Sequence, residues 1–237
     1  MKIAMWSGPR NLSTALMYSF ANRADVTAVD EPFYATYLAK TGFDHPMRDA
    51  VIASQSVDPK VVITDLSKAK ETPHSYQKHM TQHMVPSISR DWMKGVTNVF
   101  LIRHPSRVLA SWANKHDALT LADIGFAQQL ELFEHVKSLG QTPIVIDSAD
   151  VRADPEAELR DLCDAIGLEW DPAMLSWPVG PKSFDGAWAS HWYDAVHNST
   201  GFSGGEGDLP VLNGELAALN EKALPIYEEL AAHKLSI

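Results

Sequence analysis

Residues 2–14, Lys-Ile-Ala-Met-Trp-Ser-Gly-Pro-Arg-Asn-Leu-Ser-Thr, constrain this chain more than any other stretch. Ile3–Trp6 reads as a short buried strand, and Ser7–Asn11 turns sharply. Leu12, Ala15, Leu16, Tyr18, Ser19 and Phe20 follow at helical spacing. The stretch thus predicts a strand, a tight loop and a helix N-terminus. Such a junction suits an anion, because the first N–H groups of the helix have no internal partner and the helix dipole adds positive potential. Arg10 supplies a cationic fork, and Ser13 and Thr14 supply hydroxyl donors. The expectation is that this loop holds a nucleotide phosphate.

The rest of the chain repeats the alternation. Val26–Val29 reads as a second strand, ending at Asp30-Glu31-Pro32-Phe33. Residues 33–57 read as an aromatic excursion near a site, with a short helix after Pro46. Residues 59–72 are ambiguous: Lys60–Thr64 has the β-branching of a strand, whereas Asp65–Lys70 looks helical. Ser75–Lys78 is a candidate third strand, and Pro86–Met93 fits a short helix. Thr97–Ile102 is a continuous apolar run and the clearest buried strand. Further on come a helix through Val108, Leu109 and Trp112, a long helix over Leu121–Leu139 closed by Gly140, and a strand over Pro143–Asp147. Asp154-Pro155 opens a helix that runs to Ile166. Residues 170–207 lose all period and read as an irregular packed segment or lid, with 201–208 as its loop. A C-terminal helix over 215–235 closes the chain.

Buried strands alternating with helices predict one α/β domain over 1–237, a three-layer α/β/α arrangement with a central parallel sheet. Ligands of such sheets bind at the carboxyl ends of strands. Ser7–Asn11, Asp30-Glu31, Lys78-His79 and Arg103-His104 are each expected just past a strand end, so they should share one edge. A net charge of −10 argues against nucleic acid and anionic membrane surfaces as partners. Cys163 is the single cysteine and no long apolar run is present; a soluble cytoplasmic protein without a signal peptide is expected. Oligomeric state is left open.

The first loop is not a Walker A motif, because the second Gly and the Lys of that pattern are missing. The second phosphate signal is Arg103 at the end of a strand with Ser111 eight residues on, in the following helix. The pair Pro-Arg-x-x-Ser-Thr and Phe-Leu-Ile-Arg-His-Pro-x-x-x-x-x-Ser resembles the sulfotransferase superfamily, whose fold is that of the P-loop nucleoside triphosphate hydrolases. Asp30-Glu31-Pro32-Phe33, Met174–Trp177, and His191–Tyr193 through Ser199–Phe202 resemble a bacterial subgroup of it, so the likeness runs from about residue 3 to 203. The resemblance implies 3′-phosphoadenosine-5′-phosphosulfate (PAPS) as co-substrate, no metal, and a small-molecule acceptor. It implies Gly8, Pro9, Arg10, Asn11, Leu12, Ser13 and Thr14 on the 5′-phosphosulfate side, and Arg103 and Ser111 on the 3′-phosphate. Two departures stand out. Many cytosolic members carry Lys and Gly where Arg10 and Leu12 stand. The family's C-terminal Arg-Lys-Gly element is not evident, and residues 199–203 are its candidate replacement.

Transfer of SO₃ needs donors for the leaving phosphate and a base for the acceptor's proton. The resemblance offers Glu31 first, with Arg10 serving the leaving group. Lys78 with His79 or His83 is the second candidate set. A zinc site on His79 and His83 lacks a convincing third ligand. Two rival readings are a kinase-like phosphotransferase of the same fold and a non-catalytic nucleotide-binding protein.

Overall fold

The structure is a computed structural model and describes residues 1–113 and 119–235. Five strands are described: β1 (Lys2–Ser7), β2 (Val26–Asp30), β3 (His74–Met80), β4 (Thr97–Ile102) and β5 (Ile144–Asp147). Every pairing is parallel, and the order is β2-β3-β1-β4-β5. The helices are α1 (Ser13–Ala21), α2 (Tyr34–Thr41), α3 (Arg48–Ser54), α4 (Pro59–Ser67), α5 (Pro105–Ala113) and α6 (Phe126–Ser138). They continue with α7 (Ser148–Ala153), α8 (Pro155–Ile166), α9 (Ala189–Trp192), α10 (Asp194–His197) and α11 (Gly214–Ala231).

Strand alternation sorts the core into two layers. Ile3 and Met5, Val99 and Leu101, and Ile146 face α1, α2, α7 and α8. Ala4 and Trp6, Phe100 and Ile102, and Val145 face α4, α6 and α11. Both faces of the sheet are therefore covered, and strands buried on both faces read as unbroken apolar runs. A third cluster joins α5 to α11 through Val108, Leu109, Leu219 and Ala223.

The chain leaves β1 through α1 on one face, and the connection from β4 to β5, by way of α5, packs α6 on the other. The crevice between the ends of β1 and β4 is thus the point where the connections diverge, the usual ligand position in an open parallel sheet. Residues 8–12 and 103–107 flank it.

Three sequence expectations are corrected. Residues 60–64 are not a strand: Asp58 caps α4 by accepting from the Lys60 N–H (2.8 Å) and Pro59 opens it, so capping overrides β-branching. Pro86–Met93 forms no α-helix; a 3-10 turn over Asp91–Gly95 stands there instead. The long helix begins at Phe126, not Leu121, because Gly125 with φ +74° breaks the run before it. The 170–207 segment is irregular, as read, but tied down. Ser19 Oγ donates to Met174 O (2.6 Å), Tyr18 OH to Asp185 Oδ2 (2.6 Å), and Trp177 pairs through its N–H with Thr200 O (3.0 Å).

Candidate active site

The loop after β1 packs backbone to backbone. A Cβ on Gly8 would lie 2.6 Å from Ile124 O, so the glycine is required by contact with residues 124–125. Arg10 (φ +65°) and Leu12 (φ +68°) are both left-handed, a conformation costly outside glycine and held only where surroundings impose it. Asn11 is buried and turns its amide to Leu101 O (3.3 Å), tying the loop to β4. With those residues fixed, the first-turn amides of α1, at Ser13 and Thr14, are left without helical partners and face the cleft.

The second phosphate signal meets the first. Arg10 Nε donates to Ser111 Oγ (2.9 Å), and Arg103 Nη1 donates to Arg10 O (2.6 Å). Burial, with Arg103 beside it, lowers the Arg10 pKa from its very high ordinary value. The cleft has a volume of about 360 Å³ and holds residues 9–14, Arg103 and Ser111 on one side. Glu31, Lys78 and His83 line it as well.

Register builds the opposite wall. Asp30 pairs with Lys78 across β2 and β3, so both side chains leave the same face. Lys78 Nζ is buried and donates to Asp30 Oδ1 (3.1 Å), to Tyr193 OH (2.7 Å) and to Glu31 Oε1. Tyr193 OH lies 2.8 Å from both Asp30 oxygens and accepts from Trp188 Nε1 (2.9 Å). Burial opposes the Lys78 charge, but Asp30 and Glu31 outweigh it and the pKa is raised. Burial also raises the Glu31 pKa, against the pull of Lys78, and makes its carboxylate a stronger base. Glu31 stands at φ +37°, a strained angle held by Glu31 N–H to Lys78 O (3.0 Å) and by the Gln55 amide on Glu31 O (3.1 Å).

The two histidines part company. Strand β3 runs to Met80, beyond the Lys78 expected as its end, so Lys78 and His79 lie consecutively in one strand and point to opposite faces. His79 stacks on Trp6 (4.4 Å) in the α4/α6 layer, away from the cleft, and burial pushes its imidazole down to about 3. Its position gives no support to a role as base. His83 lines the cleft, stacked between Tyr34 (4.5 Å) and Tyr37 (4.8 Å). Burial lowers its pKa well below the ordinary value, its Nδ1 has no hydrogen-bond partner among the described residues, and that atom lies 3.8 Å from Glu31 Oε2. Among the described residues no group of three or more His, Cys, Asp and Glu is placed to hold a metal ion.

The sequence reading missed four residues. Tyr193 appeared there only within the His191–Tyr193 stretch of the subgroup likeness, with no role assigned. Arg107 and Arg152 join Arg103 around Glu206, with Arg107 Nε at 3.1 Å and Arg152 Nη1 at 3.1 Å from its carboxylate. The nearness of Arg107 to Arg103, four residues on, was the available signal; nothing local pointed to Arg152 or Glu206.

A family model described as "Sulfotransferase domain" matches residues 1–234. Two Arabidopsis thaliana proteins are similar along nearly the whole chain: "Branched-chain-amino-acid aminotransferase-like protein 1" (37% identical over 98% of the chain) and "protein 2" of that name (34% over 98%). The chain spans 42% and 41% of their lengths. Among solved structures, a sulfotransferase domain from the curacin biosynthetic pathway covers 99% of the chain and 98% of its own, with TM-score 0.61 at 16% identity. A sulfotransferase domain from the Synechococcus PCC 7002 olefin synthase covers 100% and 96%, with TM-score 0.51 at 17% identity. These two share the α/β fold with its parallel sheet.

Proposed function

The chain belongs to the sulfotransferase family, and on that premise we propose that it moves a sulfuryl group from PAPS to a hydroxyl or amine of a small molecule. One observation carries the reading: the two anion motifs, read separately in sequence, meet at Arg10 Nε and Ser111 Oγ, across a single cleft from Glu31. One phosphate would lie on the α1 amides and Arg10, the other toward Arg103 and Ser111. The donor set suits such a ligand. It consists of guanidiniums, hydroxyls and orphan amides, and Arg103 Nε is a buried N–H without a partner among the described residues.

In this reading negative charge grows on the leaving phosphate as its bond to sulfur breaks. Arg10 and the α1 amides stabilise that charge, being already aimed and needing no reorganisation. Glu31 Oε2, the oxygen not taken by Lys78, accepts the acceptor's proton, and Lys78 with Tyr193 holds the carboxylate in place. His83 is the alternative base on the same wall.

The test uses adenosine 3′,5′-bisphosphate, the nucleotide product of the transfer. At a hundred times its dissociation constant it should stabilise the protein by about 2.7 kcal/mol, whereas ATP with Mg²⁺ at the same concentration should not. Glu31→Gln should keep this binding and lose turnover with labelled PAPS and a panel of acceptors. Stabilisation by ATP alone would favour the phosphotransferase reading. Full turnover in Glu31→Gln would move the base to His83.

A further inference from the structure

Arg103, Arg107 and Arg152 come from three places: the end of β4, the first turn of α5, and α7 directly after β5. Their guanidiniums converge on one carboxylate. Glu206 is nearly inaccessible, with its side chain 3% exposed, and it receives Arg103 Nη2, Arg107 Nε and Arg152 Nη1. Among the described residues these three arginines have no other acidic partner, so three positive charges meet a single negative one. The fit is also incomplete. Arg103 Nε is buried without a hydrogen bond. A planar carboxylate offers two oxygens and one charge; a tetrahedral phosphomonoester offers three oxygens and nearly two charges at neutral pH. The site is built for the second and holds the first.

The segment carrying Glu206 is rich in glycine. Its neighbours are Gly204, Gly205 and Gly207, and a Cβ added at any of them would meet nothing within 4 Å. Its contacts are largely those made by the arginines themselves: Arg152 to Ser203 Oγ (3.0 Å) and Gly204 O (2.9 Å), and Arg107 to Glu206 O (2.8 Å). Ser203 and Glu206 line the same cleft as Arg10 and Ser111.

We propose that Arg107 and Arg152 complete with Arg103 a binding site for a phosphomonoester dianion, and that Glu206 is a tethered carboxylate which the phosphate displaces. The inference rests on the nucleotide reading of the cleft for the identity of its natural ligand, the outer phosphate of a nucleotide phosphorylated at both ends. The anion exchange itself does not need that reading. A tethered competitor lowers the apparent affinity by the fraction of molecules left open, so a plug closed nine-tenths of the time costs about tenfold.

The experiment has two probes. Inorganic phosphate, titrated against chloride at equal ionic strength, should bind Glu206→Gln at least tenfold tighter than wild type, and Glu206→Gln/Arg152→Ala should lose the gain. Equal phosphate affinity in wild type and Glu206→Gln overturns the proposal. The second probe needs no variant. A glutamate-specific protease should cut wild type after Glu206 several-fold faster when adenosine 3′,5′-bisphosphate is bound, with cutting at the exposed Glu71 unchanged; unchanged or slower cutting after Glu206 in the bound protein overturns the displacement. If phosphate behaves as expected but the bisphosphate binds no better than AMP, the anion site stands and the PAPS reading falls.

Discussion

At the scale of residues, the candidate site depends on charge held out of water. Lys78 stands between two carboxylates with almost no solvent contact. Lys78→Met would leave Asp30 and Glu31 side by side without a cation, and loss of one partner from a buried ionic group typically costs about 3–5 kcal/mol. The sign of its pH dependence follows. Without the ammonium the Glu31 pKa rises further above its ordinary value, so the stability that Glu31 allows is present at low pH and lost as pH rises through the folded pKa. The deficit of Lys78→Met relative to wild type, measured by urea unfolding, should therefore be larger at pH 8 than at pH 5. An equal deficit at both would mean that the carboxyls are not coupled to the lysine. His79 works in the opposite sense. Its folded pKa of about 3 lies below the ordinary 6.5, so it contributes stability above pH 6.5 that is lost as pH falls from 6.5 toward 3. His79→Phe keeps the stack on Trp6 but removes the proton. The wild-type-minus-variant difference should then fall by up to about 1.4 kcal/mol per pH unit across that window, and a flat difference would show that His79 takes its proton normally in the folded chain.

At the scale of elements, the loop after β1 is shaped by its neighbour. Gly8 and Gly125 meet almost backbone to backbone, with a Cβ on Gly125 lying 3.3 Å from Gly8 Cα. Gly8→Ala should cost about 1–3 kcal/mol of stability, as overpacking at a rigid contact does. It should also weaken bisphosphate binding, because the same displacement moves Arg10 and the α1 amides. Calorimetry and unfolding on one preparation would check both, and unchanged stability would mean that the contact yields freely. This case shows what sequence could and could not say. The strand, loop and helix were legible because burial and spacing are local, and so were Arg103 and Ser111, eight residues apart. The reason for Gly8 was not legible, since the carbonyl it avoids belongs to Ile124. Nor was the separation of His79 from Lys78: it turns on β3 continuing to Met80, through the polar residues Lys78 and His79, which carry no apolar signal of a strand. Arg107, Arg152 and Glu206 are brought together by the sheet across about a hundred positions of chain, and no local pattern records such a meeting.

At the scale of the whole molecule, the question is which part of the long irregular segment can move. Composition alone makes 170–207 look like one lid. The contacts divide it. From Pro172 to Thr200 the backbone is fixed to the sheet layer by Ser19, Tyr18 and Asn22, by the Tyr193 hydroxyl on Asp30, and by an isolated bridge between Ser176 and Gly201. Trp188 and Tyr193 are buried there, Trp188 at 1% exposure, and they complete the wall that carries Glu31. If this part opened, Asp30, Lys78 and Glu31 would lose the phenol that binds them together. Beyond Phe202 the character changes: among the described residues no amide from Ser203 to Leu209 donates to a backbone carbonyl. Local opening free energy follows buried apolar contact and internal hydrogen bonding, and the second stretch has little of either. Hydrogen exchange on the ligand-free protein should accordingly show the hydrogen-bonded amides of Trp177, Tyr193 and His197 protected to within about tenfold of the amides of β1, with 203–209 exchanging at least a hundredfold faster than those three. Equal rapid exchange on both sides of Phe202 would make the entire segment a lid, and the wall behind Glu31 would then form only when that lid closes.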